Sequence, residues 1–103
     1  MDSEQLDRVF KALADPTRRR IVEQLREGPA QSLFQICAMV SANQTAPISR
    51  QAISQHLEML GRAGLLRVSW SGRTKLHALE LAPLREAAEH WLLRQLREEG
   101  GEA

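Results

Sequence analysis

The chain has 103 residues, of which 43% are hydrophobic and 26% are charged, so its composition is that of an ordinary globular protein and not of a disordered or fibrous one. The formal net charge of +1 is too small to indicate a nucleic-acid partner by itself. The longest unbroken apolar run, Ile36 to Val40, is too short to span a membrane, and no targeting signal precedes the first helical pattern. We therefore expect one small domain, residues 1–103, located in the cytoplasm with no membrane partner.

Two helices are predicted before residue 28. Apolar residues recur at i, i+3, i+4 and i+7 between residues 3 and 14, which is typical of one helical face; they are Leu6, Val9, Phe10 and Leu13. Asp15-Pro16 ends this helix and begins the next, because Asp caps helices well and Pro suits the first helical position. The second helix buries Ile21, Val22 and Leu25 and ends at Gly28-Pro29. Its three arginines, residues 18–20, are either solvated or paired with nearby acids, or one of them contacts a phosphate.

A third helix is predicted from about Leu33, because Ser32 and Gln35 have the spacing of a capping box. Its expected buried face consists of Leu33, Phe34, Ile36, Cys37 and Val40. The single cysteine is therefore interpreted as a small core hydrophobe, with a redox or metal role as the alternative, and it fits a reducing compartment. The following segment, Ala42 to Ile48, is predicted to be a loop. It joins the third and fourth helices as a helix-turn-helix pair with an unusually long connection.

The fourth helix, within Ile48 to Leu66, is divided into an apolar side and a polar side. Ile53, Leu57 and Leu60 share one side, and the residues opposite them are Gln51, Ser54, Gln55, Glu58 and Arg62, with Arg50 and His56 at the flanks. Ser49 is predicted to cap its start, and Gly64 to supply the left-handed turn that ends it. Such a helix can dock by its apolar side and offer hydrogen-bonding groups to a DNA major groove, whose width it fits.

A β-hairpin is predicted next, with Ser71-Gly72 as its two-residue loop. Arg67, Arg73 and Lys75 project from it and can grip a neighbouring phosphate backbone, although a solvated hairpin with incidental charge is the alternative. We expect Trp70 to pack at the hairpin base. Residues 42–79 carry five basic side chains against one acid, whereas residues 81–103 carry three against five. This charge distribution suits a DNA-facing segment followed by an acidic end that stays away from phosphates.

A last helix is predicted to begin at Pro83, and its wide apolar stripe exceeds what the small core can cover. The stripe comprises Leu84, Ala87, Ala88, Trp91, Leu92 and Leu96. We therefore predict a homodimer paired through segments 1–14 and 82–98. Its interface residues are expected to be Leu6, Val9, Phe10, Leu84, Ala88, Trp91 and Leu92. The tail from Arg97 to Ala103 is expected to fray.

Four motifs in this order resemble the ArsR-type winged-helix transcription regulators over nearly the whole chain. They are DPTRRRIVEQL (residues 15–25), SRQAISQHLEML-RAGLL (residues 49–66), the Gly72-Arg73 turn and LxLAPLRE (residues 79–86). The resemblance implies a mostly α fold of five helices plus a two-stranded wing, and a dimeric repressor with the fourth helix in the major groove. It also implies DNA contacts from Arg50, Gln51, Ser54, Gln55 and His56, with Arg73 at the wing. Ser49, Arg67 and Lys75 complete the predicted DNA-binding set.

The chain departs from the metal-sensing members of this family. Those members carry a cysteine pair on the third helix, whereas Cys37 stands alone here. The last helix offers Glu86, Glu89 and His90 without a second histidine, which does not complete a tetrahedral metal site. We therefore predict no metal and no cofactor, and the sequence does not identify an inducing ligand. Glu58 stands where many relatives carry a basic residue, which limits the expected DNA footprint to the first turns of the helix.

The predicted function is repression at an imperfectly palindromic operator, read by two recognition helices about 34 Å apart. Gln51 and Gln55 suit adenine, and Arg50 suits guanine or a phosphate. An enzyme is disfavoured, because the histidines at 56, 77 and 90 and the lone cysteine show no nucleophile and base spacing. A winged-helix module that binds proteins and never touches DNA stays open, since the fold alone does not separate the two functions.

Overall fold

The computed structural model describes residues 1–42 and 48–101, the last four of these through their backbone only. Its helices are α1 (Ser3–Leu13), α2 (Pro16–Glu27), α3 (Leu33–Ser41), α4 (Arg50–Arg62), α5 (Ala82–Ala87), a π turn (Ala88–Leu92) and α6 (Leu93–Gly101), and its strands are β1 (Leu66–Ser71) and β2 (Thr74–Leu79). Because α5, the π turn and α6 follow one another without a break, they form one long last helix. The predicted fold of five helices and a two-stranded wing is confirmed.

The helix boundaries follow from the capping side chains. The Asp15 carboxylate accepts a hydrogen bond from the Arg18 backbone N–H at 3.0 Å, and the predicted capping box of Ser32 and Gln35 is present at the start of α3. The Ser49 hydroxyl accepts from the Ala52 backbone N–H at 3.0 Å. These bonds satisfy backbone donors that a helix start leaves unpaired. Gly64, with φ +76°, ends α4 in the left-handed conformation that the sequence predicts.

The core lies where α1 to α4 meet the hairpin. The expected apolar side of α4 is confirmed, because Ile53, Leu57 and Leu60 are all buried. The other large core side chains are Val9, Ile21, Leu25, Ile36, Val40, Leu65 and Leu79. Two expectations are wrong: Phe34 is 71% exposed, and Val9 is fully buried inside its own protomer. Val9 is therefore unavailable to the dimer surface for which it was predicted.

The hairpin differs from the sequence prediction by one position in its loop. Ser71 pairs with Thr74, so the two loop residues are Gly72 and Arg73. Gly72 has φ +60° and the loop contains no other residue with positive φ, which is the pattern of a type II′ turn with glycine first. Trp70 lies opposite Lys75 near this loop and is 63% exposed. The expected packing of Trp70 at the hairpin base is wrong, because Trp70 lies one pair away from the loop end of the hairpin and not at the end that contacts the core.

A short bridge attaches the hairpin to the start of α3. The backbone N–H of Gln31 donates to the His77 carbonyl at 2.9 Å, and the His77 N–H donates to the Gln31 carbonyl at 2.7 Å. The buried His77 ring adds a third bond, from Nδ1 to the same Gln31 carbonyl at 3.0 Å. His77 is thus a structural residue that fixes the wing relative to the helix-turn-helix pair.

The last helix packs on α1 and then extends past the core. The rings of Phe10 and Trp91 meet edge to face, with centroids 5.8 Å apart and planes inclined at 75°. The backbone is helical through Gly101, and fraying of the tail from Arg97 stays a prediction. No helix within residues 1–42 and 48–101 combines the length and hydropathy needed to cross a membrane. The predicted loop, residues 42–48, falls largely on residues 43–47, which lie outside the described residues.

Candidate nucleic-acid interface

The outward side of α4 presents uncharged polar groups. The side chains of Gln51, Ser54 and Gln55 are exposed, as is the capping residue Ser49. The opposite side is anchored by the buried Ile53, Leu57 and Leu60, so the helix cannot roll without exposing core surface. The fold therefore holds two amides and a hydroxyl together on one face, free to donate and accept hydrogen bonds.

The charged residues of α4 are divided between its two ends. Arg50 is exposed in the first turn. Near the other end, the Arg62 guanidinium forms an ion pair with the Glu58 carboxylate, with both side chains more than half exposed. Such a pair contributes little to stability, but it neutralises the last turn. The net positive charge of α4 therefore lies at its beginning, beside the exposed amides.

His56 faces inward, away from the exposed amides. Its side chain is only 22% exposed, and its Nδ1 atom lies 3.2 Å from Nη1 of Arg18 and 4.0 Å from Oδ2 of Asp15. Because a guanidinium can only donate, Nδ1 accepts in this bond. The prediction that His56 faces DNA is therefore corrected: the ring links α4 to the junction of α1 and α2.

Arg18 is the centre of that junction. Its Nε donates to the Ala12 carbonyl at 2.7 Å and its Nη2 to the Lys11 carbonyl at 3.1 Å. It thus supplies donors to the last carbonyls of α1, of which that of Lys11 also accepts from the Ala14 N–H at 3.2 Å. Burial raises the pKa of Asp15, but the bond from the Arg18 backbone N–H and the charge of the Arg18 guanidinium outweigh it and hold that pKa below its usual value. The three interpretations of the arginines were solvation, an acid partner and a phosphate contact, and none of them describes the bonds that the half-buried Arg18 side chain makes to two carbonyls and a histidine.

The three predicted cations of the hairpin occupy different positions. Arg73 lies in the loop and is exposed. Lys75 is exposed and shares a groove with Arg50 and Ser54 of α4. Arg67 lies on the opposite face of the hairpin from Lys75, because strand residues alternate, and its guanidinium is 3.6 Å from the Glu80 carboxylate. The structure therefore brings Lys75 next to α4 and leaves Arg67 apart from it.

The predicted dimer residues other than Val9 lie on α1 and the last helix, and each of them keeps some exposure. Leu6, Phe10, Leu84 and Ala88 are half-buried, whereas Trp91 and Leu92 are each 45% exposed. Leu93 and Leu96, further along the last helix, are 50% and 65% exposed. A π turn adds a residue to the helical repeat and so shifts which side chains share a face. A spacing drawn for an ideal α-helix does not reveal that shift.

Cys37 and the acidic residues of the last helix show no clustering typical of a metal centre. Cys37 is half-buried and packs against the core, as its place in the apolar stripe of α3 predicts. Glu86, Glu89 and His90 are all exposed. Within residues 1–42 and 48–101, no group of three or more His, Cys, Asp or Glu side chains is arranged to hold a metal ion.

Comparisons with known proteins agree with this geometry. The sequence profile of a family described as "Helix-turn-helix domain" matches residues 13–69. The chain is 38% identical over 93 residues to the HTH-type transcriptional regulator Rv2034 of Mycobacterium tuberculosis, covering 87% of this chain and 80% of that protein. It is 30% identical to the transcriptional repressor SdpR of Bacillus subtilis, covering 85% and 89% of the two chains. An ArsR-like transcriptional regulator from Rhodococcus sp. RHA1 superposes with a TM-score of 0.70 at 33% identity, covering 96% and 82%.

Proposed function

Because this chain belongs to the ArsR family of winged helix-turn-helix transcriptional regulators, which bind DNA, we propose that it is a homodimeric repressor of a palindromic operator. The single observation that carries the proposal is the outward face of α4, where Gln51, Ser54 and Gln55 are exposed over a buried apolar side. A glutamine amide can pair with the N6 and N7 atoms of adenine, and a serine hydroxyl can donate or accept. These three side chains are the proposed base readers.

Phosphate contacts from three positions would fix the protein on the duplex. Arg50 lies at the start of α4 and suits either guanine or a phosphate, while Arg73 and Lys75 extend from the wing. Arg67 is not proposed as a phosphate contact, because its guanidinium pairs with the Glu80 carboxylate and its side chain lies on the other face of the hairpin from Lys75. Contacts of this kind supply salt-dependent affinity and leave sequence discrimination to α4.

Dimerisation is proposed through the apolar surface of α1 and the last helix. Four of its large side chains are nearly half or more exposed in one protomer, and these are Trp91, Leu92, Leu93 and Leu96. Several large apolar side chains exposed on one helix usually mark a partner surface. A second copy related by a two-fold axis would cover it and carry two recognition helices into successive major grooves, about 34 Å apart. The operator should then be an imperfect palindrome.

Repression follows from occupancy of a promoter. A dimer bound across such a site excludes polymerase without any chemical step, and the relative SdpR is named as a transcriptional repressor. DNA just upstream of this protein's own coding region is the first place to look, because a repressor bound there would limit its own synthesis. The expected result of nuclease protection on that DNA is two protected half-sites with matching sequences in opposite orientations.

A dimer-surface variant supplies the control for the nuclease protection. Replacing Trp91 and Leu92 together with Glu places charge in the proposed interface, so we expect monomers by light scattering and loss of the paired protection. Replacing the exposed residue Met39 with Glu, on α3 and away from that surface, should leave both unchanged. A double variant that stays dimeric would refute the proposed interface, and a single protected site without symmetry would refute the palindromic operator.

A further inference from the structure

A groove of about 990 Å³ lies between α4, the beginning of α3 and the wing. Its size is at the upper end of the range of roughly 300–1,000 Å³ that is typical of small-molecule sites. Apolar side chains from three elements line it, and these are Leu33 and Phe34 of α3, Leu57 of α4, and Leu66 and Val68 of β1. The groove is therefore an open apolar channel beside the proposed DNA-reading face.

Two of these apolar side chains have no role in the proposed function. Phe34 is 71% exposed and Val68 is 45% exposed, yet neither belongs to the base-reading face of α4 or to the dimer surface. The Phe34 ring and the Val68 side chain are thus left largely in water along one groove, and apolar lining of this kind is typical of a ligand site.

The charged groups at the groove are mostly positive. Arg50 and Lys75 both line it, and no ion pair among residues 1–42 and 48–97 engages either of them. Arg62 and Glu58 also line it but neutralise each other. An occupant complementary to this groove therefore has an apolar body and one negative charge.

We propose that the groove binds an amphipathic carboxylate of the medium-chain fatty acid class, one per protomer. The carboxylate would lie between Arg50 and Lys75, and the hydrocarbon chain would follow Leu66 and Val68 toward Phe34. Because Arg50 and Lys75 are also proposed DNA contacts, an occupied groove would release the operator. That last step rests on the proposed function, whereas the binding site itself does not.

Calorimetric titration of the full chain with dodecanoate, below its micelle concentration and without DNA, tests the site. The expected result is saturable binding of one dodecanoate per protomer. Replacing Phe34 with Ser removes an exposed ring without disturbing the core and should weaken binding about tenfold or more, since a buried aromatic side chain contributes that much. The matched control is Met39→Ser, an exposed apolar residue on the same helix outside the groove, which should bind dodecanoate as the parent chain does.

Three outcomes of these titrations would overturn the site. The first is the absence of saturable binding, and the second is equal weakening by the two serine substitutions, which would mean nonspecific adsorption. The third is equal binding of dodecyltrimethylammonium, which has the same tail and a positive head, because the cations at the groove would then play no part. The Phe34→Ser variant is expected to fold normally, and its circular dichroism spectrum checks this directly.

The regulatory step is tested separately by fluorescence anisotropy with labelled operator DNA. Dodecanoate should displace the parent chain and the Met39 variant from the operator, while the Phe34 variant should keep its operator affinity and need about tenfold more dodecanoate for release. Dodecanoate binding that leaves operator affinity unchanged would overturn the competition. Failure to bind any operator would overturn the proposed function, whereas calorimetry would still decide the ligand site.

Discussion

Replacing Arg18 with Met tests whether the junction of α1, α2 and α4 depends on one guanidinium. Methionine keeps most of the apolar stem but loses the bonds to the Ala12 and Lys11 carbonyls, at 2.7 and 3.1 Å, and to His56, at 3.2 Å. A hydrogen bond to a charged group contributes about 1.5–3 kcal/mol. Arg18 is half-buried and its bond to Lys11 is exposed, so water replaces part of the loss. We expect the free energy of unfolding to fall by about 2 kcal/mol.

Urea unfolding followed by circular dichroism measures this change, at one fixed protomer concentration because dimerisation adds to apparent stability. Arg19→Met is the matched control. Arg19 is the exposed neighbour and makes one bond of the same kind, to the Leu13 carbonyl at 2.7 Å, so its loss should cost less than about 1 kcal/mol. Equal destabilisation by the two substitutions would refute the importance given to the buried junction.

The same junction should couple to DNA binding through His56. In a double-mutant cycle on operator affinity, Arg18→Met and His56→Leu remove the same contact between α2 and α4, so their effects should be less than additive by about 0.5–1.5 kcal/mol. Purely additive effects would show that the Arg18 and His56 contact does not position the recognition helix.

Two further predictions concern the ends of α2 and α4. Asp15→Asn keeps a capping oxygen and removes the negative charge. Because the folded-state pKa of Asp15 is lowered, its carboxylate stabilises the fold above about pH 3.9. This contribution disappears as the pH falls through the folded-state pKa. The parent chain should thus unfold at higher urea than Asp15→Asn at pH 7, and this difference should shrink as the pH is lowered from 7 to 3; a constant difference would contradict the assignment. Gly64→Ala should lower the free energy of unfolding in urea by about 1–2 kcal/mol, because Gly64 has a φ of +76°. Gly61 lies inside α4 with open space around a new methyl group. Gly61→Ala should therefore be neutral or stabilising by up to about 1 kcal/mol.

Local sequence signals predicted the helix boundaries of this fold correctly. Asp15, Ser32 and Ser49 begin their helices as expected, and Gly64 ends α4, because capping depends on hydrogen bonds over only three or four residues. The apolar side of α4 was also predicted correctly, since its spacing decides which residues can be buried together.

Features that depend on distant parts of the chain were missed. The periodicity of α3 marks Phe34 as apolar but does not tell whether another element covers it, and none of the described residues does so fully. His56 looks like an outward residue until Arg18, 38 positions earlier, is placed beside it. Val9 was assigned to the dimer surface for the same reason: periodicity identifies an apolar face, but not whether this protomer or a second copy buries it.

The central claim, that α4 reads DNA bases through its amides, is tested most directly by operator binding of Gln51→Ala and Gln55→Ala. Affinities should be measured on the parent operator and on single base-pair variants at fixed salt. We predict that at least one substitution reduces discrimination by about 1–3 kcal/mol at one position of each half-site. Arg73→Gln, which removes a proposed phosphate contact, should instead weaken binding to all sequences alike. If both glutamine variants keep the full sequence preference of the parent chain, this assignment of the DNA-reading face is wrong.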